Sequence, residues 1–429
     1  MSFYKKNRTI TISIINILMP RSLNMSGLLK AVFKKLIKKG RLEVVYPDKR
    51  REIYGDQNAK DSAAVEILTQ ETCLRLLVNP GLAFGEGYMD ETIKPINCSI
   101  YDVLNVILQN DLAEGHYVEK IASVLRFGKR FWSQLNSLKT SQKNVAHHYD
   151  LNGALYSLFL DEDRQYSCAY FRTGNETLDE AQLAKKRHIA AKLKLDQPGL
   201  EVLDIGCGWG GMALFLAKEF DVHVTGITLS QEQLQAAKER AKKAGLEHKV
   251  CFELRDYRLV EKKFDRIVSV GMFEHVGVNY YVEFFKDINK ILKPDGVMLL
   301  HSIGRSDGPG STNPWINKYI FPGGYSPSLS EVFASVEKSG LWVTDCEILR
   351  LHYAKTLRLW HDRVKEEKEK IIQMYDERFY RMFDFYLSAS ELSFYYHNHM
   401  NFQLQISPSI DALPMTRDYM FEVEGKLDS

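Results

Sequence analysis

The sequence has little from which a disulfide framework, a zinc site or a membrane span could be built. Its 429 residues include only six cysteines and no C-x-x-C pair, which favours reduced thiols in a cytoplasm. No apolar run approaches the roughly 18 residues that a membrane span requires. The net charge is +2, and we expect no nucleic-acid partner. The cysteines are Cys73, Cys98, Cys168, Cys207, Cys251 and Cys346.

What the chain contains is the composition of an ordinary globular protein, with 45% hydrophobic and 26% charged residues. At this length two domains are expected rather than one core. Residues 1–24 resemble a signal peptide only loosely and are predicted to be a disordered extension or a misassigned start. The patterns then predict a smaller α+β domain over 25–130, a linker over 131–145 and an α/β domain over 146–429.

A basic amphipathic helix is predicted over residues 26–39. Apolar residues such as Leu29 and Phe33 recur at helical spacing, and lysines fill the positions between them. Ser26 is placed to cap the start of this helix and Gly40 its end. Such a helix often lies on an anionic membrane surface, but it can equally dock on its own domain with its lysines in water. The segment alone leaves both interpretations open.

From about residue 186 the chain alternates between helical and strand-forming segments. Strands are predicted in EVLDIG, VHVTGITLS, KVCFELRDY, FDRIVSVGMFE and DGVMLLHSIG. This alternation is typical of a parallel sheet with right-handed crossovers, which binds ligands at the carboxyl ends of its strands. Glu274 follows the fourth strand and His301 closes the fifth, so we expect both side chains at that edge.

The segment LDIGCGWGG, residues 203–211, is the clearest ligand-binding motif. Its glycines let the backbone turn sharply and let a ligand approach closely. A dinucleotide site would have G-x-G-x-x-G and an acid about 20 residues later. Here Asp204 precedes G-x-G-x-G, which favours S-adenosylmethionine, because a carboxylate at the strand end can bind the amino group of the methionine portion.

The second strand lacks the acid that usually binds the ribose in such a site. It ends in TGITLSQEQ, so we expect Thr228, Ser230 and Gln233 to supply hydroxyl and amide groups instead. Asp256, in LRDY after the third strand, is suited to the adenine amino group, although an acid in a solvated turn is an equally good interpretation.

Seven segments, taken together, closely resemble the cyclopropane-fatty-acid-phospholipid synthases and the related mycolic acid cyclopropane synthases. They are HHYDLNGALYSLFLD, YSCAYF, VLDIGCGWGG, FDRIVSVGMFEHVG, LLHSIG, PWINKYIFPGG and HYAKTLRLW. The resemblance covers roughly residues 145–405, and GLAFGEGYMD is similar to the N-terminal domain of the phospholipid-acting members. It implies an α/β fold, a Rossmann-like class I methyltransferase with a parallel sheet and a smaller N-terminal α+β domain.

The resemblance also implies a reaction, in which S-adenosylmethionine supplies a methylene group to a cis double bond of an acyl chain in a membrane phospholipid. A double bond is a weak nucleophile, so the sulfonium must be held close and in line. The cation-like centre that follows needs a nearby negative charge, a base and the exclusion of water. Two alternatives stay open: a lipid methyltransferase of the same fold that leaves a methyl branch, and a cofactor-binding regulatory protein with an inactive site.

In the family, a bound bicarbonate ion serves as the base. By resemblance its ligands match the side chains of Glu274, His301 and Tyr353 and the backbones of Cys168 and Ile303. Imidazole, phenol and amide groups donate to an anion, whereas a carboxylate accepts its proton and orients it. By this resemblance, these five residues and Ser390 form the predicted catalytic set.

Ser390 departs from the family pattern, because it stands where many members have a cysteine. The methyl group passes directly to the alkene, so we expect this difference to have little effect on activity.

His147 and His148 have no evident third metal ligand near them in the sequence, and no metal site is predicted. The cofactor contacts carried over are Tyr166, Ser167, Asp204, Gly206, Cys207, Gly208, Gly210, Gly211, Thr228, Leu229, Gln233 and Asp256.

An enzyme that acts on acyl chains in a bilayer must reach the membrane surface, which favours the membrane interpretation of the basic helix. We therefore expect a cytoplasmic protein that associates peripherally with the inner face of the membrane through residues 25–130. Longer members of the family tend to be dimers, so a homodimer is expected by resemblance.

Overall fold

The computed structural model describes residues 25–111 and 153–428. The chain divides into two compact units, Met1–Asn110 and Asp111–Ser429, and each is described by itself. The predicted linker over 131–145, the pair His147 and His148, and the predicted extension over 1–24 lie outside the described residues.

The N-terminal unit is a four-stranded sheet with strand order β2-β1-β3-β4, covered by helices. Strand β1 runs antiparallel to β2 and parallel to β3, and β4 is antiparallel to β3. This mixed sheet with helices confirms the predicted α+β class. The elements are α1 Met25–Leu36, β1 Arg41–Val45, β2 Arg51–Gly55, β3 Ser62–Ile67, α2 Gln70–Val78, α3 Pro80–Met89, β4 Ile93–Pro95 and α4 Ile100–Asp111.

The apolar stripe of helix α1 packs into the core of its own unit. Leu29, Phe33 and the following Ile37 are buried among the residues of the sheet. The exposed positions of the helix are Gly27, Leu28, Ala31, Lys34 and Lys35, of which Leu28 is 47% exposed. The apolar stripe of the helix is therefore used inside its own unit, and two lysines face solvent.

The larger unit contains a seven-stranded sheet with the order β10-β11-β9-β8-β5-β6-β7. Strands β5 to β9 pair in parallel, whereas β11 runs antiparallel to both β9 and β10. This confirms the predicted mostly parallel α/β sheet. The strands are β5 Leu200–Ile205, β6 Val222–Thr228, β7 Val250–Leu254, β8 Phe264–Val270, β9 Leu292–Arg305, β10 Trp342–Leu349 and β11 His399–Ser407.

Helices cover both faces of this sheet, as right-handed crossovers require. Two apolar cores result, one on each face of the sheet. None of the helices described in the two units is long and apolar enough to cross a membrane. The helices of the larger unit are α5 Gly153–Phe159, α6 Leu178–Lys192, α7 Gly211–Glu219, α8 Gln231–Ala244, α9 Tyr281–Ile291, α10 Pro314–Tyr319, α11 Leu329–Glu337, α12 His352–Glu366, α13 Lys368–Met374, α14 Glu377–Tyr396 and α15 Asp418–Asp428.

The fifth strand continues past His301, the residue predicted to close it. It ends at Arg305, because β11 pairs with it from His399 onward. His301 nevertheless lies level with the end of β8, opposite Val270, and the Gly271 N–H donates to the His301 carbonyl at 2.9 Å. The expected common edge is therefore present, although His301 lies within a strand.

Candidate active site

A pocket opens at the carboxyl ends of the parallel strands. It is lined by the ends of β5, β6 and β8, by the loops that follow them and by residues 164–167. Ten of the twelve predicted cofactor residues line it: Tyr166, Ser167, Asp204, Gly206, Cys207, Gly208, Thr228, Leu229, Gln233 and Asp256.

The other two, Gly210 and Gly211, shape the loop from behind the pocket. Gly210 has φ +83°, and a Cβ on it would lie 2.7 Å from the Phe252 ring. A Cβ on Gly211 would lie 2.3 Å from the Gln165 amide nitrogen. Gly206, with φ +80°, also needs the left-handed region, which residues with a Cβ rarely adopt. The glycines are therefore required by the turn and by the close packing around it.

Asp204 ends β5 as a buried carboxyl, and its Oδ2 has no hydrogen-bond partner among the described residues. Burial raises the pKa of Asp204 to about 7, against an opposing effect of the nearby Lys185 ammonium. A buried oxygen without a partner is costly unless a ligand supplies a donor. The position and chemistry of Asp204 thus fit the cationic methionine portion of the predicted cofactor.

Lys185, which the sequence reasoning missed, lies fully buried beside this carboxyl. Its Nζ donates to Gln165 Oε1 at 2.7 Å and to Ser167 Oγ at 2.8 Å. Burial lowers the pKa of Lys185 to about 7, although Asp161 opposes the shift. Lys185 therefore holds the segment that carries Ser167 against the pocket.

The hydroxyls predicted to replace a ribose acid are joined to one another. Thr228 Oγ1 donates to Gln233 Oε1 at 2.9 Å, and the Ser230 N–H donates to Thr228 Oγ1 at 3.1 Å. Ser230 caps α8 by accepting from the Gln233 N–H. Because the Gln233 oxygen is already used, its amide NH₂ is the group that this side chain offers to a ligand.

Asp256 lines the pocket but is already paired with Arg258. The guanidinium donates to both carboxylate oxygens, at 2.8 and 2.7 Å. Oδ1 also accepts from the Arg258 N–H at 3.1 Å, so Oδ2 is the oxygen that retains a lone pair, and an adenine amino group can donate to it beside the arginine. The adenine contact of Asp256 stays a prediction, and Arg258 is a neighbour that the sequence did not indicate.

An aromatic cluster closes the pocket on the side of Tyr166. The Tyr166 ring stacks on Trp360, with centroids 5.1 Å apart, and its hydroxyl lies 3.0 Å from that of Tyr386. Tyr353 meets the same indole edge-on at 5.7 Å. Burial raises the pKa of Tyr166 well above its usual value. The cluster therefore links a predicted cofactor residue with a predicted catalytic residue through Trp360.

Glu274 lies in a short 3-10 turn, Phe273–His275, directly after β8. Phe273 anchors the turn in the core by stacking on Tyr281, with ring centroids 4.3 Å apart. Glu274 Oε1 accepts from the Ile303 N–H at 2.6 Å, whereas Oε2 is buried with no partner among the described residues. Burial raises the pKa of Glu274 to about 7. The structure thus brings two members of the predicted catalytic set into contact. The Ile303 N–H, which was predicted to bind the anion, donates to Glu274 instead.

His301 is fully buried between two side chains of β11. Its Nδ1 lies 3.2 Å from Gln403 Nε2, and its Nε2 lies 3.3 Å from the Asn401 amide. Burial lowers the pKa of His301 well below its ordinary value, and nearby cations, first Lys185, lower it further. The ring is therefore neutral.

The Cys168 segment lies against α12, the helix that carries Tyr353. The Ala169 N–H donates to Thr356 Oγ1 at 3.0 Å, one turn after Tyr353. Burial raises the pKa of the Cys168 thiol, so the thiol stays neutral, as expected if Cys168 contributes only its backbone.

The structure also shows where Ser390 and His275 lie, two residues to which the sequence assigns no firm role. Ser390 is half-buried in α14, where its carbonyl accepts from Ser393 Oγ at 2.6 Å. His275 lines the cofactor pocket, and burial lowers its pKa to about 4. His275 is therefore a neutral wall of the pocket rather than a second acid–base group.

The site residues that the sequence did not indicate share one property. They are buried polar side chains on helices and strands whose sequence patterns predict solvent exposure at those positions. Lys185 and Lys192 lie in a helix where lysines are normally exposed. Asn401 and Gln403 alternate in β11 with apolar residues, a pattern that indicates a solvated face. Within residues 25–111 and 153–428, no group of three or more His, Cys, Asp or Glu could hold a metal ion.

Comparison with family models matches both units. A model described as mycolic acid cyclopropane synthetase matches residues 136–404. A second model, described as a domain of unknown function (DUF7884), matches residues 28–114.

Individual proteins extend the similarity. The cyclopropane-fatty-acyl-phospholipid synthase of Escherichia coli K12 is 40% identical over 334 residues, which span 77% of this chain and 84% of that protein. A probable fatty acid methyltransferase from Pseudomonas putida is 40% identical over 297 residues, or 66% of this chain and 74% of that one. The solved structure of mycolic acid cyclopropane synthase CmaA1 complexed with SAH and CTAB matches with a TM-score of 0.58 and 35% identity, covering 62% of this chain and 97% of that chain.

Proposed function

The chain belongs to the mycolic acid cyclopropane synthetase family, and from this premise we propose the reaction that it catalyses. It is an S-adenosylmethionine-dependent methyltransferase that adds a methylene group to the cis double bond of unsaturated acyl chains in membrane phospholipids, forming cyclopropane fatty acids. One observation carries the proposal: the buried Glu274 carboxyl, with an oxygen that has no partner in the described chain, follows a strand whose end lines the cofactor pocket.

The pocket residues fit S-adenosylmethionine by their chemistry. Asp204 offers a buried acceptor to the ammonium, Gln233 offers an amide donor, and the glycine loop allows a close approach. When bound, this molecule supplies the methyl group on an electrophilic sulfonium. The chain's contribution is to hold that sulfonium in line with the double bond, which lowers the entropic part of the barrier.

Glu274 also fits a bicarbonate ion beside the reacting carbon, and such an ion would supply the base. Its Oε2 has no partner among the described residues, and a pKa of about 7 allows the carboxyl to hold or release a proton near neutral pH. His301 and Tyr353 supply donors for the anion, and the Cys168 backbone supplies another. The neutral state of His301 and the raised pKa of the Cys168 thiol agree with these roles.

The aromatic cluster around Trp360 protects the reaction from water. The Tyr166 ring stacks on Trp360, Tyr353 meets the same indole edge-on, and Trp360 is fully buried. A cation-like centre that met water would end as an alcohol. This cluster therefore favours ring closure by loss of a methyl proton.

Expression in a bacterium that lacks cyclopropane lipids tests the reaction. Mass spectrometry of the membrane fatty acids should show a gain of one CH₂ for each consumed double bond, and proton NMR should show the cyclopropane ring. Cells that express Glu274→Gln at the same level are the control. Unchanged fatty acids beside a chain that binds S-adenosylmethionine would contradict the proposal and favour a binding protein.

A methyl-branched product is the second candidate, because the Pseudomonas relative, a probable fatty acid methyltransferase, is 40% identical to this chain, as the Escherichia protein is, although over 66% of the chain rather than 77%. The same lipid extract separates the two. A gain of one CH₂ with a branched methyl signal and no ring signal would establish this candidate.

For membrane association, we propose that helix α1 attracts the enzyme to anionic lipid by charge alone. Lys34 and Lys35 in the helix and Lys38 and Lys39 directly after it are exposed, whereas the apolar stripe is used inside the unit. The double variant Lys34→Glu/Lys35→Glu should weaken binding to anionic vesicles, and binding should fall with salt. Lys242→Glu/Lys243→Glu, which changes two exposed lysines of α8, is the control. Equal loss in both variants would remove α1 from the proposal.

A homodimer is proposed by resemblance to the longer members of the family. Sedimentation equilibrium of the full chain measures its mass directly, and a monomer at micromolar concentration would contradict the proposal.

A further inference from the structure

A chain of polar side chains runs from helix α6 to His301 through β10 and β11. His188 Nε2 lies 2.6 Å from Glu347 Oε2. The same carboxylate oxygen accepts from Lys192 Nζ, which also donates to Gln403 Oε1 at 2.8 Å. Gln403 Nε2 then reaches His301 Nδ1 at 3.2 Å. Lys192, Gln403 and His301 are all at most 2% exposed.

The ammonium group of Lys192 decides which way the Gln403 amide faces. A lysine ammonium has three donors and no acceptor, so the amide atom that it contacts must be the oxygen. The Gln403 NH₂ therefore faces His301 and donates to Nδ1. An Nδ1 that accepts a hydrogen bond carries no proton.

The neutral His301 ring consequently carries its hydrogen on Nε2. The Asn401 amide lies at 3.3 Å from that nitrogen, and its Oδ1 is buried with no partner in the part of the chain that the structure describes. Turning the amide by 180° places the oxygen opposite Nε2–H and satisfies both groups. The Asn401 oxygen thus accepts from the His301 Nε2–H, and a ligand can replace it as the acceptor.

The strand register gives the direction of this hydrogen. Gln403 pairs with His301 itself, whereas Asn401 pairs with Ile303. The Ile303 N–H donates to Glu274. The Nε2 side of the ring therefore faces the end of the site where Glu274 lies.

We propose that Lys192 and Gln403 are positioning residues that hold His301 as its Nε2–H tautomer, so that the ring presents a donor to an anion beside Glu274. The tautomer of a histidine is set by the hydrogen bond on its other nitrogen. The opposite tautomer would turn a lone pair toward that anion and repel it. The identity of the anion rests on the proposed function, but the tautomer does not.

Nitrogen NMR of the full chain with ¹⁵N-labelled histidine tests the proposal without any turnover. Long-range ¹H–¹⁵N spectra distinguish Nε2–H, Nδ1–H and the imidazolium, and His301→Gln identifies the His301 signals by their loss. We expect a single Nε2–H pattern at neutral pH. An Nδ1–H or imidazolium pattern for His301 would overturn the proposal.

Gln403→Glu tests the cause, because a carboxylate accepts from Nδ1–H and should switch the tautomer. Turnover should fall at least tenfold while S-adenosylmethionine affinity stays within about twofold, as expected for loss of one oriented donor. Gln405→Glu is the matched control: it lies on the same buried face of β11, its amide nitrogen donates to the Lys192 carbonyl and to Tyr419, and its amide oxygen accepts from Thr344 Oγ1 rather than from Lys192 Nζ. It should keep the Nε2–H pattern.

An unchanged Nε2–H pattern in Gln403→Glu would overturn the role of Gln403. If that variant does not fold, Lys192→Met decides instead, since the Gln403 amide is then free to turn. A mixture of both tautomers supports the proposal, and a pure Nε2–H pattern contradicts it. An inactive wild type with the Nε2–H pattern would instead count against the proposed function alone.

Discussion

The two halves of the candidate site are built on different principles. The cofactor half lies where parallel strands β5 to β8 end, and glycine backbone angles together with residues next to the strand ends shape it. The reaction half lies where antiparallel β11 pairs with β9, and side chains from α6, β10 and β11 orient its histidine. The cofactor half therefore depends mainly on local conformation, and the reaction half on distant contacts.

This difference predicts different responses to substitution. Changes in the cofactor half should alter binding and stability together, because the same backbone serves both. Changes in the reaction half should alter turnover with little effect on the cofactor, because the buried side chains act on one another rather than on the glycine loop.

The largest effect is expected from Glu274→Gln in the reaction half. Glutamine keeps the shape and the Ile303 contact but cannot exchange a proton, so turnover on unsaturated phospholipid vesicles should fall by about 10²–10⁴-fold. Calorimetric S-adenosylmethionine affinity should be unchanged. Glu283→Gln, at an exposed position of α9, controls for loss of charge. If Glu274→Gln lost turnover and cofactor binding together, the proposed independence of the two halves of the site would be contradicted.

In the cofactor half, Gly210→Ala should act on stability and binding together. The left-handed φ of +83° and the 2.7 Å approach to Phe252 should lower the free energy of unfolding by about 2–4 kcal/mol and weaken S-adenosylmethionine binding. Gly245→Ala is matched in φ, at +67°, but has open space around it, so about 1–2 kcal/mol is expected with normal binding. Denaturant titration and calorimetry measure both. Normal cofactor affinity in Gly210→Ala would show that the loop tolerates distortion.

Asp204→Asn tests how the stability of the cofactor half depends on pH. The pKa of Asp204 rises from 3.8 to about 7 on folding, so the folded chain binds the extra proton. The stability that this proton contributes is complete below the unfolded pKa and is lost as the pH rises through about 7. Without ligand, the melting temperature of the wild type should fall by a few degrees more than that of Asp204→Asn across this range. Identical pH profiles would mean that the carboxyl ionises normally.

Cofactor binding should show the opposite trend with pH. The ammonium of S-adenosylmethionine needs the ionised carboxylate, so wild-type affinity should rise as the pH increases through about 7. Asp204→Asn should bind weakly and without this dependence. Calorimetric titration at a series of pH values measures it.

The smallest effect is expected from Ser390→Cys. The side chain lies in α14, half-buried, and the proposed chemistry needs no thiol nucleophile. Turnover should stay within about twofold, as for a volume-conserving change. A large increase in turnover with the thiol would show that this position takes part in the reaction.

Ten of the twelve predicted cofactor residues line one pocket, and the sequence could indicate this part of the site because the features that mark it are local. Gly206 and Gly210 need φ values that other residues rarely adopt, so the loop is visible as a motif, and Asp204 stands next to it. The parallel strands are also visible, since each is a short apolar run followed by a turn. The resemblance to the family added Glu274 and Ile303, which the structure brings into contact.

The reaction half shows what a sequence pattern leaves open. Lys192 looks like a solvent-exposed helix residue, and the alternation of Asn401 and Gln403 with apolar residues indicates a solvated strand face. Tertiary pairing buries all three, because β11 enters the sheet beside β9 and α6 packs over it. Helix α1 is a similar case, since its apolar stripe fits either a membrane or a core, and packing placed it in the core.

The amino-acid sequence by itself determined the class of fold, the glycine loop and the acid at the end of β5, since backbone angles and strand periodicity depend on neighbouring residues. The tertiary structure alone decided which polar groups lost their water. Desolvation by distant elements moved the pKa values of Asp204, Lys185 and Glu274 toward 7 and made His301 neutral. Burial depends on the whole chain, so no local pattern could predict these protonation states.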